Sequence, residues 1–349
     1  MNIVIDEKIP FLKAALEAMG HQVLAKPGVD IAVADVADAD ALFVRTRTVC
    51  DASLLEGSKV RFIGTATIGY DHIDAEYCKE HGIEWTSAAG CNSGAVLQYV
   101  QSVVYAWAKE RCASLEALTM GVVGVGEIGS KVAEWARAIG MRVLQNDPPR
   151  EQREGSSGFT SLSAIARECD VITFHPTLNV DGEHPSFHLA DAAFFASLSK
   201  CRLLINASRG PVVDNKALLR AMEQGRVGDV ALDVWEGEPS IDRCLLNKVY
   251  IGTPHIAGYS AEGKMNATRL VLAAFASFSG YAGALPLPSM LPPANNEITA
   301  ASLAEALLMI YTPHGDSLAL KANPCSFEEL RNNYCLRREP ASYKLCIEK

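Results

Sequence analysis

No two of the ten cysteines stand in a C-x-x-C spacing, so neither a thiolate zinc site nor a dithiol redox motif is written into this 349-residue chain. The scattered thiols read as reduced cysteines of a cytoplasmic protein, and no metal is expected. Positive charge is also scarce. Against 41 Asp and Glu stand 32 Lys and Arg, a formal net charge of −9, which argues against nucleic acid or an anionic membrane as partner. An anionic substrate would then need cations placed locally. Long apolar runs are missing too. Trp85 to Ala108 carries no charged residue, but Asn92, Ser93, Gln98, Gln101 and Ser102 interrupt it and Gly90 and Gly94 break its start. A buried helix from about Ser93 to Lys109 is expected there, not a membrane span. The opening Met1-Asn2-Ile3-Val4-Ile5-Asp6 reads as a strand, without the basic region and apolar run of a secretory leader. No internal repeat or low-complexity tract is seen. What remains is an ordinary composition, 49% hydrophobic, long enough for two or three domains with large cores.

Four short signatures follow one another along the chain. They are Gly124-Val125-Gly126-Glu127-Ile128-Gly129, Asn206-Ala207-Ser208-Arg209-Gly210, Asp233-Val234-Trp235-Glu236-Gly237-Glu238-Pro239 and Pro254-His255-Ile256-Ala257-Gly258. The glycine motif has its proper context. Leu118 to Val123 is apolar and β-prone, and it runs straight into the glycines. Val132, Trp135, Ala136 and Ile139 then fall at i, i+3, i+4 and i+7, which predicts a helix from about Glu127 to Ile139 ended by Gly140. Met141 to Asn146 reads as the next strand and closes at Asp147. In such a unit Gly124, Gly126 and Gly129 serve the tight turn, the close backbone approach to a pyrophosphate, and helix–strand contact. The amides of Glu127 and Ile128 lie at the positive end of the helix, where the pyrophosphate would sit. Asp147 is placed to accept from ribose hydroxyls and to repel a 2′-phosphate, which favours NAD over NADP.

The first ninety residues form another α/β module. Strands are expected at Ile3–Ile5, Gln22–Ala25, Ala41–Val44, Arg61–Thr65 and Ile83–Thr86, with helices at Pro10–Met19 and Ile73–His81. Further buried strands are expected at Val171–Phe174, Leu203–Ile205, Val230–Leu232 and Val249–Ile251. A helix from Ala261 to Ser279 precedes a linker marked by Pro286, Pro288, Pro292 and Pro293. Glu297 to Leu345 reads as a small third unit, too short to fold alone and expected to dock on another surface. The fold class is therefore α/β with two parallel sheets.

With these signatures placed, the chain resembles the D-isomer-specific 2-hydroxyacid dehydrogenases over about residues 1–285. A closer resemblance to one branch of that family is carried by Gly64-Thr65-Ala66-Thr67, Gly90-Cys91-Asn92, Asp147-Pro148-Pro149-Arg150, the Asp233 and His255 segments, and the tail Leu330-Arg331-Asn332-Asn333-Tyr334 with Arg337-Arg338-Glu339. The resemblance implies a doubly wound Rossmann NAD domain (94–256) inserted into a flavodoxin-like substrate domain (1–93 and 257–285), followed by an α+β dimerisation domain (286–349). It also implies a homodimer and a phosphorylated hydroxy-acid substrate. The tail is shorter than the resemblance suggests.

The residue types suit that chemistry. Oxidation at C2 of a hydroxy acid needs a base of near-neutral pKa on the hydroxyl, and His255 fits. By resemblance Glu238 stands beside it, to hold the imidazole tautomer and stabilise the imidazolium. Arg209 offers a planar fork for the substrate carboxylate. Ala207, Ser208, Asp233 and Gly258 are implied on the cofactor, Asp233 at its nicotinamide end or else as a turn cap. Thr46, Thr67 and Tyr259 are implied on the substrate, with Arg45 as a phosphate cation or a plain solvated arginine. Arg338 and its neighbours would reach an active site across a dimer or simply be solvated. One departure stands out: the family's His-x-Pro-Leu is His175-Pro176-Thr177-Leu178 here, which removes an amide hydrogen at Pro176 next to the cofactor path. Two other readings stay open. One is a relative acting on another acid such as 3-phosphoglycerate; the other is an NAD-sensing, corepressor-like binding protein that has reused the fold.

Overall fold

Short apolar runs alternating with helices build two all-parallel sheets in the computed structural model, which describes residues 1–288, 291–294 and 297–348. The chain divides into two compact units, Met1–Asn92 with Ser260–Pro293, and Ser93–Tyr259 with Ala294–Lys349.

The first unit holds β1 (Asn2–Asp6), β2 (Gln22–Lys26), β3 (Ala41–Val44), β4 (Phe62–Thr65) and β5 (Glu84–Ser87), in the order β2-β1-β3-β4-β5. That is the flavodoxin-like order expected, and it places a topological switch point between β1 and β3. Central strands buried on both faces read as unbroken apolar runs, as Ala41-Leu42-Phe43-Val44 does. The Ala261–Ser279 helix covers one face, packing Val271, Leu272 and Phe275 against Phe43 and Phe62. Gly64 makes that approach possible, since a Cβ there would meet the Phe43 ring at 2.8 Å. Ser260 Oγ caps this helix by accepting from Gly263 N, and Gly280 ends it at φ 70°.

The second unit holds β6 (Thr119–Val123), β7 (Arg142–Asn146), β8 (Val171–Phe174), β9 (Leu203–Asn206), β10 (Asp229–Leu232) and β11 (Ile251–Gly252), ordered β11-β10-β9-β8-β6-β7. The strand outside β7 in a full Rossmann half is reduced to one residue, Thr160. Thr160 N donates to Gln145 O at 2.7 Å, and Asn146 Nδ2 takes Thr160 O. The last strand begins two residues later than its apolar run suggests. Val249 closes the Arg243–Lys248 helix through its N–H to Leu245 O, and Lys321 Nζ takes its carbonyl at 2.6 Å. Those bonds use the groups a ladder would need.

The tail, expected as a small unit docked on another surface, groups with the Ser93–Tyr259 segment in this second unit. β12 (Glu297–Ala300) and β13 (Lys344–Ile347) pair in parallel, with helices at Leu303–Ile310, His314–Ala322 and Phe327–Asn332 between them. Leu307 and Tyr311 join the core of the Ser93–Glu110 helix, while Leu320 and Phe327 join that of Trp235 and Leu246. No helix among the described residues is long and apolar enough to cross a membrane.

Candidate active site

The switch point of the second sheet lies between β6 and β8, and Gly124 and His175 follow their carboxyl ends. The three glycines do three different jobs. Gly124 adopts φ 82°, and a Cβ there would collide with the backbone of His175 and Pro176. On Gly129 a Cβ would run into Gly124 O, so helix and turn touch. At Gly126 it would meet nothing within 4 Å. Gly126 is also the N-cap of the Glu127–Ala138 helix, with no side chain capping the amides that follow. An open space over uncapped helix amides is what a pyrophosphate requires.

Beside it lies a cavity of about 470 Å³ lined by Gly124, Gly126, Asp147, Arg150, His175 and Pro176 among others. Asp147 is tied to its walls: Oδ2 accepts from Val125 N at 2.7 Å and Oδ1 caps the next helix at Arg150 N. Each oxygen keeps a lone pair for a ribose hydroxyl. Arg150 is neutralised by a two-point bond to Glu154 at 2.8 and 2.7 Å, so it does not offset the charge of Asp147 toward a 2′-phosphate. These residues fit a dinucleotide. The displaced proline also lies in this wall. Pro176 backs Gly124, and burial pushes the His175 imidazole down to about 3, leaving a neutral ring held by Thr173 Oγ1 at 2.9 Å.

Arg209, Asp233 and His255 come from the loops that leave the carboxyl ends of the neighbouring strands β9, β10 and β11. Backbone hydrogen bonds stitch these loops together, from Asp233 N to Asn206 O at 3.0 Å and from His255 N to Asp233 O at 2.8 Å. Gly210 lets the β9 loop lie against Trp235, with whose carbonyl any Cβ would collide. His255 has φ 59°, a left-handed conformation rare for a residue with a side chain. Asp233 enforces it. Its Oδ1 accepts from Thr253 Oγ1 at 2.7 Å and Ile256 N at 2.8 Å, and its Oδ2 from Ala257 N at 2.9 Å. Both oxygens of Asp233 thus serve the loop, and one acceptor site remains on Oδ2.

His255 Nδ1 bonds Glu238 Oε2 at 2.7 Å, and Glu238 Oε1 accepts from Trp235 N at 2.9 Å. Burial alone would raise the Glu238 carboxyl. The hydrogen bond and charge of His255, the Trp235 amide and the cation of Arg331 outweigh it and hold the group below its usual range. With Nδ1–H donating to a carboxylate, a neutral imidazole keeps its lone pair on Nε2, ready to accept a proton. Arg209 is half-buried; its NH1 donates to Ser208 O, and among the described residues it forms no ion pair. Ser208 turns inward, its N–H and hydroxyl both on Asn206 Oδ1, while Ala207 is buried and Gly258 half-buried.

In the first unit, at its own switch point, Arg45 follows β3 and its Nε pairs at 2.9 Å with Asp6, which is fully buried at the end of β1. Thr46 is exposed beside it. Thr67 Oγ1 bonds Thr65 Oγ1 at 2.7 Å and Gly69 O at 2.9 Å.

Two tail arginines went unassigned in the reading of the sequence. Arg331 Nε donates to Tyr259 Oη at 3.2 Å, and its NH1 lies 4.0 Å from Glu238 Oε2. Arg337 is buried and donates to Ala95 O, Ile256 O, Ala257 O and Gln98 Oε1, thereby holding the loop after His255. Their only sequence signal was membership of the Leu330–Glu339 resemblance. Both make these contacts within their own chain; a plain solvated arginine was one expectation for this segment, and neither residue is that.

The family model for the D-isomer specific 2-hydroxyacid dehydrogenase, NAD binding domain, matches residues 94–257. Erythronate-4-phosphate dehydrogenase of Bacteroides fragilis is 51% identical, covering all of both chains. The protein of the same name from Yersinia enterocolitica is 41% identical over all of this chain and 95% of its own. Among solved structures, D-lactate dehydrogenase from Aquifex aeolicus, complexed with NAD and lactic acid, matches with a TM-score of 0.60 and 25% identity, over 80% of this chain and 96% of that one. Glyoxylate reductase from Paecilomyes thermophila matches at 0.66 and 25%, over 82% and 97%.

Proposed function

Since the chain belongs to the D-isomer-specific 2-hydroxyacid dehydrogenases and is an NAD-dependent oxidoreductase, we propose that it oxidises 4-phospho-D-erythronate to 2-oxo-3-hydroxy-4-phosphobutanoate, a step of pyridoxal 5′-phosphate (vitamin B6) biosynthesis. The observation that carries this reading is the bonded His255–Glu238 pair in a chain that matches full-length relatives of that name from end to end.

NAD, when bound, accepts the hydride leaving C2. The amides of Glu127, Ile128 and Gly129 after Gly126 would hold its pyrophosphate, and Asp147 would accept from the adenosine ribose hydroxyls. Pro176, Ala207, Ser208, Gly258 and the remaining acceptor of Asp233 complete the cofactor side. Arg209 binds the substrate carboxylate through two parallel N–H bonds and draws electron density from the C2 oxygen. His255 Nε2 removes the hydroxyl proton, and Glu238 stabilises the imidazolium that forms. Arg45, Thr46, Thr67 and Tyr259 are assigned to the rest of the substrate, with Arg45 the cation for its phosphate. The proposed organisation is a substrate domain (1–93 and 257–285), an NAD domain (94–256) and a dimerisation segment (286–349), in a cytoplasmic homodimer.

The test is NAD reduction by wild type and His255→Ala on 4-phosphoerythronate, 3-phosphoglycerate and D-lactate. A kcat/KM highest for 4-phosphoerythronate and lost in the variant supports the assignment. A preference for 3-phosphoglycerate moves the substrate within the family, and NAD binding without turnover of any acid points to a sensor.

A further inference from the structure

Arg331 has no part in the reaction as described, yet its placement is specific. It is carried by the Phe327–Asn332 helix, whose Phe327 is buried in the core around Trp235 and Leu246. Its guanidinium reaches back to the loops that hold the acid–base pair. Glu238 Oε2, the oxygen bonded to His255 Nδ1, is also the oxygen nearest Arg331 NH1, so one atom stands between imidazole and guanidinium. Nε of the same arginine holds Tyr259 Oη, four residues beyond His255. Glu328 Oε1 sits 3.9 Å behind NH1. Among the described residues the charged or titratable groups bonded to or paired with these side chains are thus Arg331, Glu328 and Tyr259, while the Asp233 carboxylate faces two backbone amides and the Thr253 hydroxyl.

We propose that Arg331 is a positioning residue for the Glu238–His255 pair, supplied by the C-terminal segment of the same chain: it keeps the Glu238 carboxylate turned toward Nδ1, and fixes the His255–Tyr259 loop through the tyrosine hydroxyl. This rests on the acid–base reading of the pair given above. The physical effect has a sign. The guanidinium offsets part of the carboxylate's field at the imidazole, so its removal leaves the imidazolium better stabilised and the pair takes up its proton at higher pH. It also frees Glu238 to rotate, which costs turnover more than substrate affinity.

The experiment compares wild type with Arg331→Met and Arg331→Lys. The readouts are kcat and KM over pH, the titration of the His255 ring followed by NMR without substrate, and thermal melting as the check on folding. Arg331→Met is expected to lose roughly tenfold in kcat with KM little changed. Its acid-side limb and its ring titration should both move up by about one pH unit. Arg331→Lys restores the charge, returning both to the wild-type position while kcat stays low for want of the tyrosine bond. An unmoved ring titration in either a folded Met variant or, should that variant not fold, Arg331→Gln overturns the proposal. So does a loss carried by KM alone, which would make Arg331 a substrate-binding cation. Because the ring titration needs no substrate, its outcome is separable from a failure of the proposed reaction, which would show as absent turnover in the wild type.

Discussion

Glu238 and His255 illustrate how much a single bonded pair decides. Replacing Glu238 by Gln keeps the shape but removes the charge that selects the Nδ1–H tautomer, and kcat/KM is expected to fall by about 10² to 10⁴ while the protein stays folded at a lower melting temperature. The same carboxyl is held below its ordinary range. Its contribution to folding is therefore complete above the unfolded-state pKa and fades as the pH drops through the folded one. His175 gives the larger acid effect. Burial lowers it from 6.5 to about 3, so between those values the unfolded chain carries a proton that the folded chain refuses. Stability from this residue is expected to decline by about 1.4 kcal/mol per pH unit across that window. Urea unfolding of wild type and His175→Asn at several pH values measures it, a shallower slope in the variant being the expected result. His255, Glu238 and Arg209 could be picked out as candidates because each sits in a compact motif with chemistry of its own, and the structure bonds the first two. Arg331 could not, since an arginine on a short charged tail helix has the same local sequence whether it meets water or a carboxylate.

The glycine loop separates folding from binding within one turn. Gly126→Ala places its methyl in open space at an ordinary φ of −77°, so the fold is expected to survive with a loss under about 1 kcal/mol. NAD affinity should fall at least tenfold, because the methyl takes the position the pyrophosphate needs. Gly129→Ala drives its methyl into Gly124 O and is expected to lower stability by several kcal/mol before any ligand is considered. Thermal melting with and without NAD tells these apart. Helices and strands followed their periodicity closely. The Ala261–Ser279 helix has the bounds expected of it, and Ala41–Val44 and Val171–Phe174 match their apolar runs. The misses were at edges. β11 starts late because Val249 is already bonded to a helix and a lysine, and the strand outside β7 shrinks to Thr160. Neither restraint leaves a trace in local composition.

For the whole molecule the decisive feature is the tail. Arg337 is 8% exposed and donates to four acceptors on two segments of the nucleotide-binding unit, with Tyr311 against its guanidinium face at 4.3 Å. Arg337→Ala strands those acceptors and is expected to cost about 3 kcal/mol, seen as a drop of several degrees in melting temperature. Amide exchange should quicken around residues 255–258 as well as in the tail. An exposed surface arginine would show neither change.

The order of residues alone determined the two parallel sheets, the NAD preference implied by Asp147, and the motifs that carry an imidazole, a guanidinium and a carboxylate. All of these depend on periodicity and short spacing, which the chain encodes locally. Only the tertiary structure decided that Glu238 Oε2 bonds His255 Nδ1, that Asp233 spends its oxygens holding a strained histidine, and that Leu307, Tyr311, Leu320 and Phe327 of the tail join the cores of the second unit. Those outcomes turn on contacts between residues from seventeen to more than two hundred positions apart, where burial and charge compensation act and local pattern is silent.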